Sequence, residues 1–231
     1  MTESIERLLV EPAGAADAAV IWLHGLGADG HDFEGIVPYL GLPGGHGVRF
    51  VFPHAPVRPV TVNGGMEMRA WYDILEMNVG MRQDEAGIRG SAELARALIA
   101  AEVSAGIASE RIVLAGFSQG GAIALHAGLR HPEPLAGVMA LSTYLPLAES
   151  LDSERSHAND EVPIFMAHGK ADPVIPFRLA EESRKRLERA GYAVDFRSYP
   201  MPHSVVPEEI TDIGHWLRSV LPATTANAGQ S

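Results

Sequence analysis

The chain has 231 residues, 46% of them hydrophobic, with 24 glycines and a formal charge of -11, which is enough apolar material for one sizeable core. The acidic balance, with no basic block to offset it, argues against a nucleic-acid or anionic-membrane surface, and the absence of cysteine excludes disulfides, thiolate metal sites and a cysteine nucleophile. Glu3, Glu6 and Arg7 interrupt the N-terminus, and no apolar run approaches the roughly 18 residues of a membrane span, so the expectation is a cytoplasmic protein without membrane insertion.

Residues 5–10 read as a short edge strand and 12–17 as a turn. Ala18-Ala19-Val20-Ile21-Trp22-Leu23 is a continuous apolar run, the pattern of a parallel strand buried on both faces. It ends in His24-Gly25-Leu26-Gly27-Ala28-Asp29-Gly30, a glycine-rich loop able to bring backbone N–H groups close to a bound oxygen. Leu26 is the candidate second oxyanion donor. His24 reads as a structural hydrogen-bonder, and Asp29, His31 and Asp32 as helix-start residues, with metal binding not expected. A helix over 32–39 and a strand over 48–52 follow.

Residues 57–83 have a different character, with an Asn63-Gly64-Gly65 turn and no sustained period. The segment holds Met66, Met68, Met77 and Met81 together with Trp71, Tyr72, Ile74 and Leu75. Methionine adapts to irregular apolar shapes, so the segment reads either as the wall of an acyl-binding groove or as cover for the core. Met68, Trp71 and Leu75 are the expected groove contacts. Asp73 is the expected hydrogen-bond anchor of this loop. A helix over 84–105, with an apolar stripe through Ile88, Leu94, Ala95, Leu98 and Ala101, stops at Gly106.

The stretch that organises the chain comes next. Ile112-Val113-Leu114-Ala115-Gly116-Phe117-Ser118-Gln119-Gly120-Gly121 reads as a buried strand turning into a helix through Gly-x-Ser-x-Gly, a nucleophile elbow with Ser118 at its tip. Small residues are needed two before and two after the serine, where the chain doubles back. The first free N–H groups of the following helix then point at the serine, which makes the Gln119 amide the first oxyanion donor. That helix is expected to reach residue 130, with a strand over 137–143, a polar surface excursion over 147–161 with a solvated His157, and a strand over 162–167.

A serine base needs an acid that holds its tautomer. Asp172, just past the strand in His168-Gly169-Lys170-Ala171-Asp172-Pro173, is that candidate; Asp195, inside the strand over 193–199, is the weaker rival. A helix over 177–190 closes at Gly191. His203 follows the last strand and precedes the last helix, which completes the order Ser, Asp, His. His215 competes with it but falls inside the terminal helix, where a structural role is expected. Residues 222–231 form an Ala/Thr/Gly tail expected to be disordered, leaving 1–221 as one domain.

Five motifs taken together resemble the phospholipase/carboxylesterase family of α/β-hydrolases: Leu23-His24-Gly25-Leu26-Gly27, Met68-Arg69-Ala70-Trp71-Tyr72-Asp73, Gly116-Phe117-Ser118-Gln119-Gly120-Gly121, His168-Gly169-Lys170-Ala171-Asp172 and Tyr199-Pro200-Met201-Pro202-His203-Ser204. The resemblance implies an α/β fold: a mostly parallel central sheet with helices on both faces and little or no lid. It also implies a Ser118, Asp172, His203 triad with no cofactor. The expected reaction is serine-dependent hydrolysis of short- to medium-chain carboxylic esters, aryl esters included. The alternative is thioester or lysophospholipid hydrolysis on long acyl chains, and a non-catalytic binding protein is a third reading. The expected partner is a small-molecule ester, and a homodimer is left open.

Overall fold

The computed structural model describes residues 5–76 and 82–223. Seven strands form one sheet in the order β1-β3-β2-β6-β7-β8-β9. These are β1 (Arg7–Val10), β2 (Ala18–Leu23), β3 (Val48–Pro53), β6 (Ile112–Phe117), β7 (Gly137–Leu141), β8 (Ile164–Gly169) and β9 (Val194–Tyr199). Every neighbouring pair is parallel except the edge strand β1, which runs antiparallel to β3. Strands β2, β7 and β8 are buried at every position, because helices cover both faces and leave no wet side to demand polar alternation.

One face carries α2 (Glu85–Ser104), α3 (Gln119–Gly128) and α5 (Phe177–Arg189), whose Ile88, Leu98, Ile123 and Leu187 pack with Ile21 and Leu114 of the sheet. The other face carries α1 (His31–Glu34) and α6 (Pro207–Val220), whose Phe33 and Trp216 pack with Trp22, Phe50 and Phe165. Asp84 caps α2 by accepting the Gly87 N–H at 2.9 Å, and Gly106 at φ +98° ends that helix in the left-handed region as a helix stop requires. The buried stripe of α2 runs through Ile88, Ala92, Ala95, Leu98 and Ile99, whereas Leu94 and Ala101 are only partly covered. Among the described residues no helix is long and apolar enough to cross a membrane.

Three stretches differ from the sequence reading. The helix expected over 32–39 breaks into α1 and a 3-10 turn, Val37–Leu40, because Gly35 and Pro38 interrupt a continuous α-helical ladder. Within 57–83, β4 (Val57–Val60) and β5 (Met66–Arg69) pair as an antiparallel hairpin. Four-residue strands with Pro59 and half of their positions exposed carry too little alternation to announce themselves. The polar excursion contains α4 (Leu151–Glu154), which buries Leu151 in the core, while His157 is exposed as expected. Met77, Met81 and tail residues 224–231 lie outside the described residues.

Candidate active site

Ser118 sits between β6 and α3 at φ 54°, ψ -119°, a conformation that an L-residue holds only when its surroundings enforce it. They do so here through hydrogen bonds and close packing. The Ser118 N–H donates to the Leu141 carbonyl at 2.8 Å, and the Thr143 hydroxyl donates to the Ser118 carbonyl at 2.7 Å. A side chain at Gly116 would strike the Gly120 backbone, and one at Gly120 would strike the Leu23 carbonyl. The glycines are therefore required by how closely the elbow passes itself and β2.

Asp172 and His203 reach the same edge because β8 and β9 are parallel neighbours, with Gly169 opposite Tyr199. Beyond the strands the two loops stay joined, with the Lys170 N–H on the Tyr199 carbonyl at 2.9 Å and the Ala171 N–H on the Met201 carbonyl at 3.2 Å. Gly169 permits this approach, since a Cβ there would collide with the Met201 and Pro202 carbonyls. Asp172 Oδ1 accepts the N–H groups of Val174 and Ile175 at 2.8 and 2.9 Å. Its Oδ2 lies 2.7 Å from His203 Nδ1, so the carboxylate fixes Nδ1 as the protonated nitrogen.

The His203 ring packs on Phe117, with centroids 4.8 Å apart, beside the elbow serine. His168, from the same motif as Asp172, is buried; its Nε2 donates to the Ile175 carbonyl at 2.8 Å and stands 3.4 Å from Asp172 Oδ2. Burial holds the His168 pKa below the usual histidine value, and the ring packs beside the acid with its N–H committed to the Ile175 carbonyl. The rivals lie elsewhere. Asp195 binds Arg197, and His215 is exposed on α6 rather than packed into the structure.

Leu26 and Gln119 face the same cavity as Ser118. The loop bearing Leu26 is pressed against the elbow, since a Cβ at Gly25 would lie 3.5 Å from Ser118 Cβ, and Gly27, at φ +75°, donates its N–H to the Arg69 carbonyl at 2.9 Å. Gln119 is the first residue of α3, so its N–H has no partner within the helix. His24 has the expected structural role: Nδ1 donates to the Gly25 carbonyl at 2.7 Å, and Nε2 accepts the Ala55 N–H at 3.0 Å. Burial lowers its pKa. At the start of α1, Asp29 accepts the His31 N–H at 2.9 Å.

The cavity beside Ser118 has a volume of about 320 Å3, with Val62, Tyr72, Ile74, Tyr144, Val174 and Ile175 among its walls. The three expected groove contacts are placed differently. Trp71 is fully buried in the core, its indole N–H on the His24 carbonyl at 2.9 Å; it does not touch the cavity, which corrects the sequence reading. Met68 packs beside Gly27, and Leu75 lines a small crevice next to the cavity. Asp73 anchors its loop as expected, accepting the Thr61 N–H at 2.7 Å.

Tyr144, Val62, Val174 and Ile175 are the walls that sequence reasoning missed. Val174 and Ile175 did carry a signal, an apolar pair separated from the acid only by Pro173, on a loop at the carboxyl edge of the sheet, where α/β folds place their ligands. Among the described residues no three His, Asp or Glu side chains are grouped as a metal would need.

Residues 6–221 match the model of the family described as phospholipase/carboxylesterase. The chain belongs to that family. It is a hydrolase of the esterase and thioesterase class with an α/β-hydrolase fold. Acyl-protein thioesterase 1 of Mycosarcoma maydis is 39% identical, over 95% of this chain and 98% of that protein. The Neurospora crassa protein of the same name is 40% identical, over 96% and 95%. The crystal structure of Zea mays acyl-protein thioesterase 2 is 31% identical, with a TM-score of 0.81 over 94% of this chain and 99% of that one. Within this family, thioesterase-named relatives match this chain along nearly its full length.

Proposed function

We propose that this protein is a serine thioesterase that removes acyl groups from S-acylated proteins, with Ser118 as nucleophile, His203 as base and Asp172 as the acid that orients it. The observation that carries the reading is the apolar cavity opening directly beside Ser118, together with the thioesterase names of full-length relatives. His203 Nε2 takes the Ser118 proton as Oγ attacks the acyl carbonyl, and the Leu26 and Gln119 amides hold the oxyanion. The leaving thiolate takes that proton from the His203 imidazolium and departs as a thiol; the neutral His203 then draws a proton from the water that attacks the acyl-enzyme and passes it to Ser118 Oγ as the carboxylic acid leaves. A thiol leaves readily as its anion, since its pKa is about 8.5, whereas an alkoxide depends on protonation by His203.

The acyl group fills the cavity and the leaving group stays at its mouth, where Val174 is 53% exposed, so a protein-borne cysteine is not obliged to enter. Hydrolysis of medium-chain carboxylic esters is the second reading, favoured by the modest cavity volume. Matched thio- and oxygen esters of one acyl group, assayed with wild type and Ser118→Ala, test the assignment. The expected result is a higher kcat/KM for the thioester and loss of both activities in the variant. A clear preference for the oxygen ester transfers the assignment to the second reading, and turnover surviving in folded Ser118→Ala removes both.

A further inference from the structure

The cavity at Ser118 shares part of its wall with a second, much smaller space. Tyr72 and Tyr144 line it, and their hydroxyl oxygens are hydrogen-bonded at 3.0 Å in a buried setting. That crevice, of about 10 Å3, is bounded by the same two tyrosines with Ile74, and by Asp73, Glu76, Arg82 and Gln83. A larger cleft of about 680 Å3 also has Tyr144 and Gln83 in its wall. Its walls are of another kind, with Glu85, Glu149, Glu182, Arg186 and Arg189. Tyr144 thus borders a mainly apolar chamber, with Glu76 as its charged wall residue, and a cleft rich in charged groups.

We propose that the Tyr72–Tyr144 pair is the end stop of the acyl cavity and sets the length of the acyl chain that the enzyme accepts. This rests on the reading that the acyl group bound to Ser118 occupies that cavity. A hydrocarbon tail that passed the pair would separate the buried hydroxyls, each then left without its partner. It would also bring methylenes among carboxylates and guanidinium groups, where apolar surface gains nothing. A water-sized group takes roughly 30 Å3 and a methylene is of that size, so a chamber of about 320 Å3 holds about ten. The preferred acyl chain is accordingly of medium length, and longer chains meet the two phenol rings.

The test is the ratio of kcat/KM for hexadecanoyl over decanoyl substrates, with decanoyl turnover by the wild type as the reference. Tyr144→Ala frees the volume of the phenol ring at the apolar end of the cavity, room for about two or three more methylenes, and raises this ratio about tenfold or more, because each methylene leaving water is worth about fourfold. Tyr144→Phe keeps the ring and raises it by less than threefold; Tyr144→Trp lowers it. An unchanged ratio in folded Tyr144→Ala, or an equal rise with Tyr144→Phe, overturns the end stop.

A second measurement uses the native protein alone, so that a variant that fails to fold leaves the question answerable. The rate of Ser118 labelling by alkyl fluorophosphonates rises with chain length and falls beyond about ten carbons; a rise that continues to hexadecyl overturns the proposal. Absence of Ser118-dependent turnover in the wild type would instead remove the functional reading, whereas an active wild type with an unmoved ratio removes only the end stop.

Discussion

Asp172 and His203, 31 positions apart in sequence, are joined at 2.7 Å because the loops after β8 and β9 pack against each other through Gly169. One oxygen of Asp172 is committed to the Val174 and Ile175 amides and the other to His203. Replacing the carboxylate with an amide leaves the shape but permits the wrong histidine tautomer. Asp172→Asn is expected to lower kcat by roughly 10^3- to 10^4-fold. Asp195→Asn, which disturbs only the Arg197 pair, should change it by less than about threefold. Steady-state kinetics on both purified variants decides, and the reverse ranking would move the acid role to Asp195.

Ser118→Ala removes only the Oγ, because the elbow is held by the backbone bonds to Leu141 and Thr143. The expected loss in kcat is on the order of 10^4- to 10^6-fold, with the melting temperature within a few degrees of wild type. Circular dichroism establishes the fold, and a fluorophosphonate label that still attaches to the variant would identify a different nucleophile.

Two glycine-to-alanine changes should have opposite signs. Gly120→Ala drives a Cβ into the Leu23 and His24 carbonyls, backbone atoms that cannot swing aside, so a loss above ~3 kcal/mol is expected. Gly90 lies exposed inside α2 with open space where its Cβ would stand. Gly90→Ala should stabilise by about 0.5–1 kcal/mol through helix propensity. Urea unfolding midpoints compare the two, and a stable Gly120→Ala protein would contradict the close approach at the elbow.

Gln119→Ala separates the two uses of this residue. Its backbone N–H, the proposed oxyanion donor, survives, but its side chain accepts from the Trp71 N–H at 2.8 Å and donates to the Tyr72 carbonyl at 2.7 Å. Removing the amide leaves two buried backbone groups unpaired, a cost of about 2–5 kcal/mol. Thermal melts should show a drop of roughly 5–15 °C. A melting temperature equal to wild type would mean that the Trp71–Tyr72 segment is held in some other way.

Glu209, wholly enclosed at the start of α6, has its pKa pushed up to about 8, chiefly by burial and partly offset by the Val206 N–H. The folded protein therefore keeps a proton there between about pH 4.5 and 8 that the unfolded chain releases. This contribution to stability is complete below about pH 4.5 and is lost as the pH rises toward 8. Glu209→Gln abolishes the titration, so its melting temperature should fall less than that of wild type between pH 6 and 9. Parallel slopes across that range would show that Glu209 is not the group responsible.

The sequence by itself determined the parts of this protein whose geometry is local. Gly116, Gly120 and Gly121 around Ser118 leave the room a chain needs to double back tightly on itself, so the elbow could be read from a handful of residues. Continuous apolar runs such as Ala18–Leu23 could only be strands buried on both faces. The order of Ser118, Asp172 and His203, each just beyond a strand, placed all three at one sheet edge.

Tertiary structure decided what side-chain direction controls. Trp71 and Tyr72 are adjacent aromatics with equal claim on the cavity, and the buried amide of Gln119 binds the backbone of both. That anchor seats the Trp71 ring in the core and leaves Tyr72 at the cavity wall, opposite a tyrosine 72 positions away. The hairpin of β4 and β5 was hidden because four-residue strands gain their stability from each other and from the loop at Gly27, not from their own pattern. Local sterics is written in consecutive residues; which of two neighbouring side chains faces a ligand depends on what the rest of the chain packs against them.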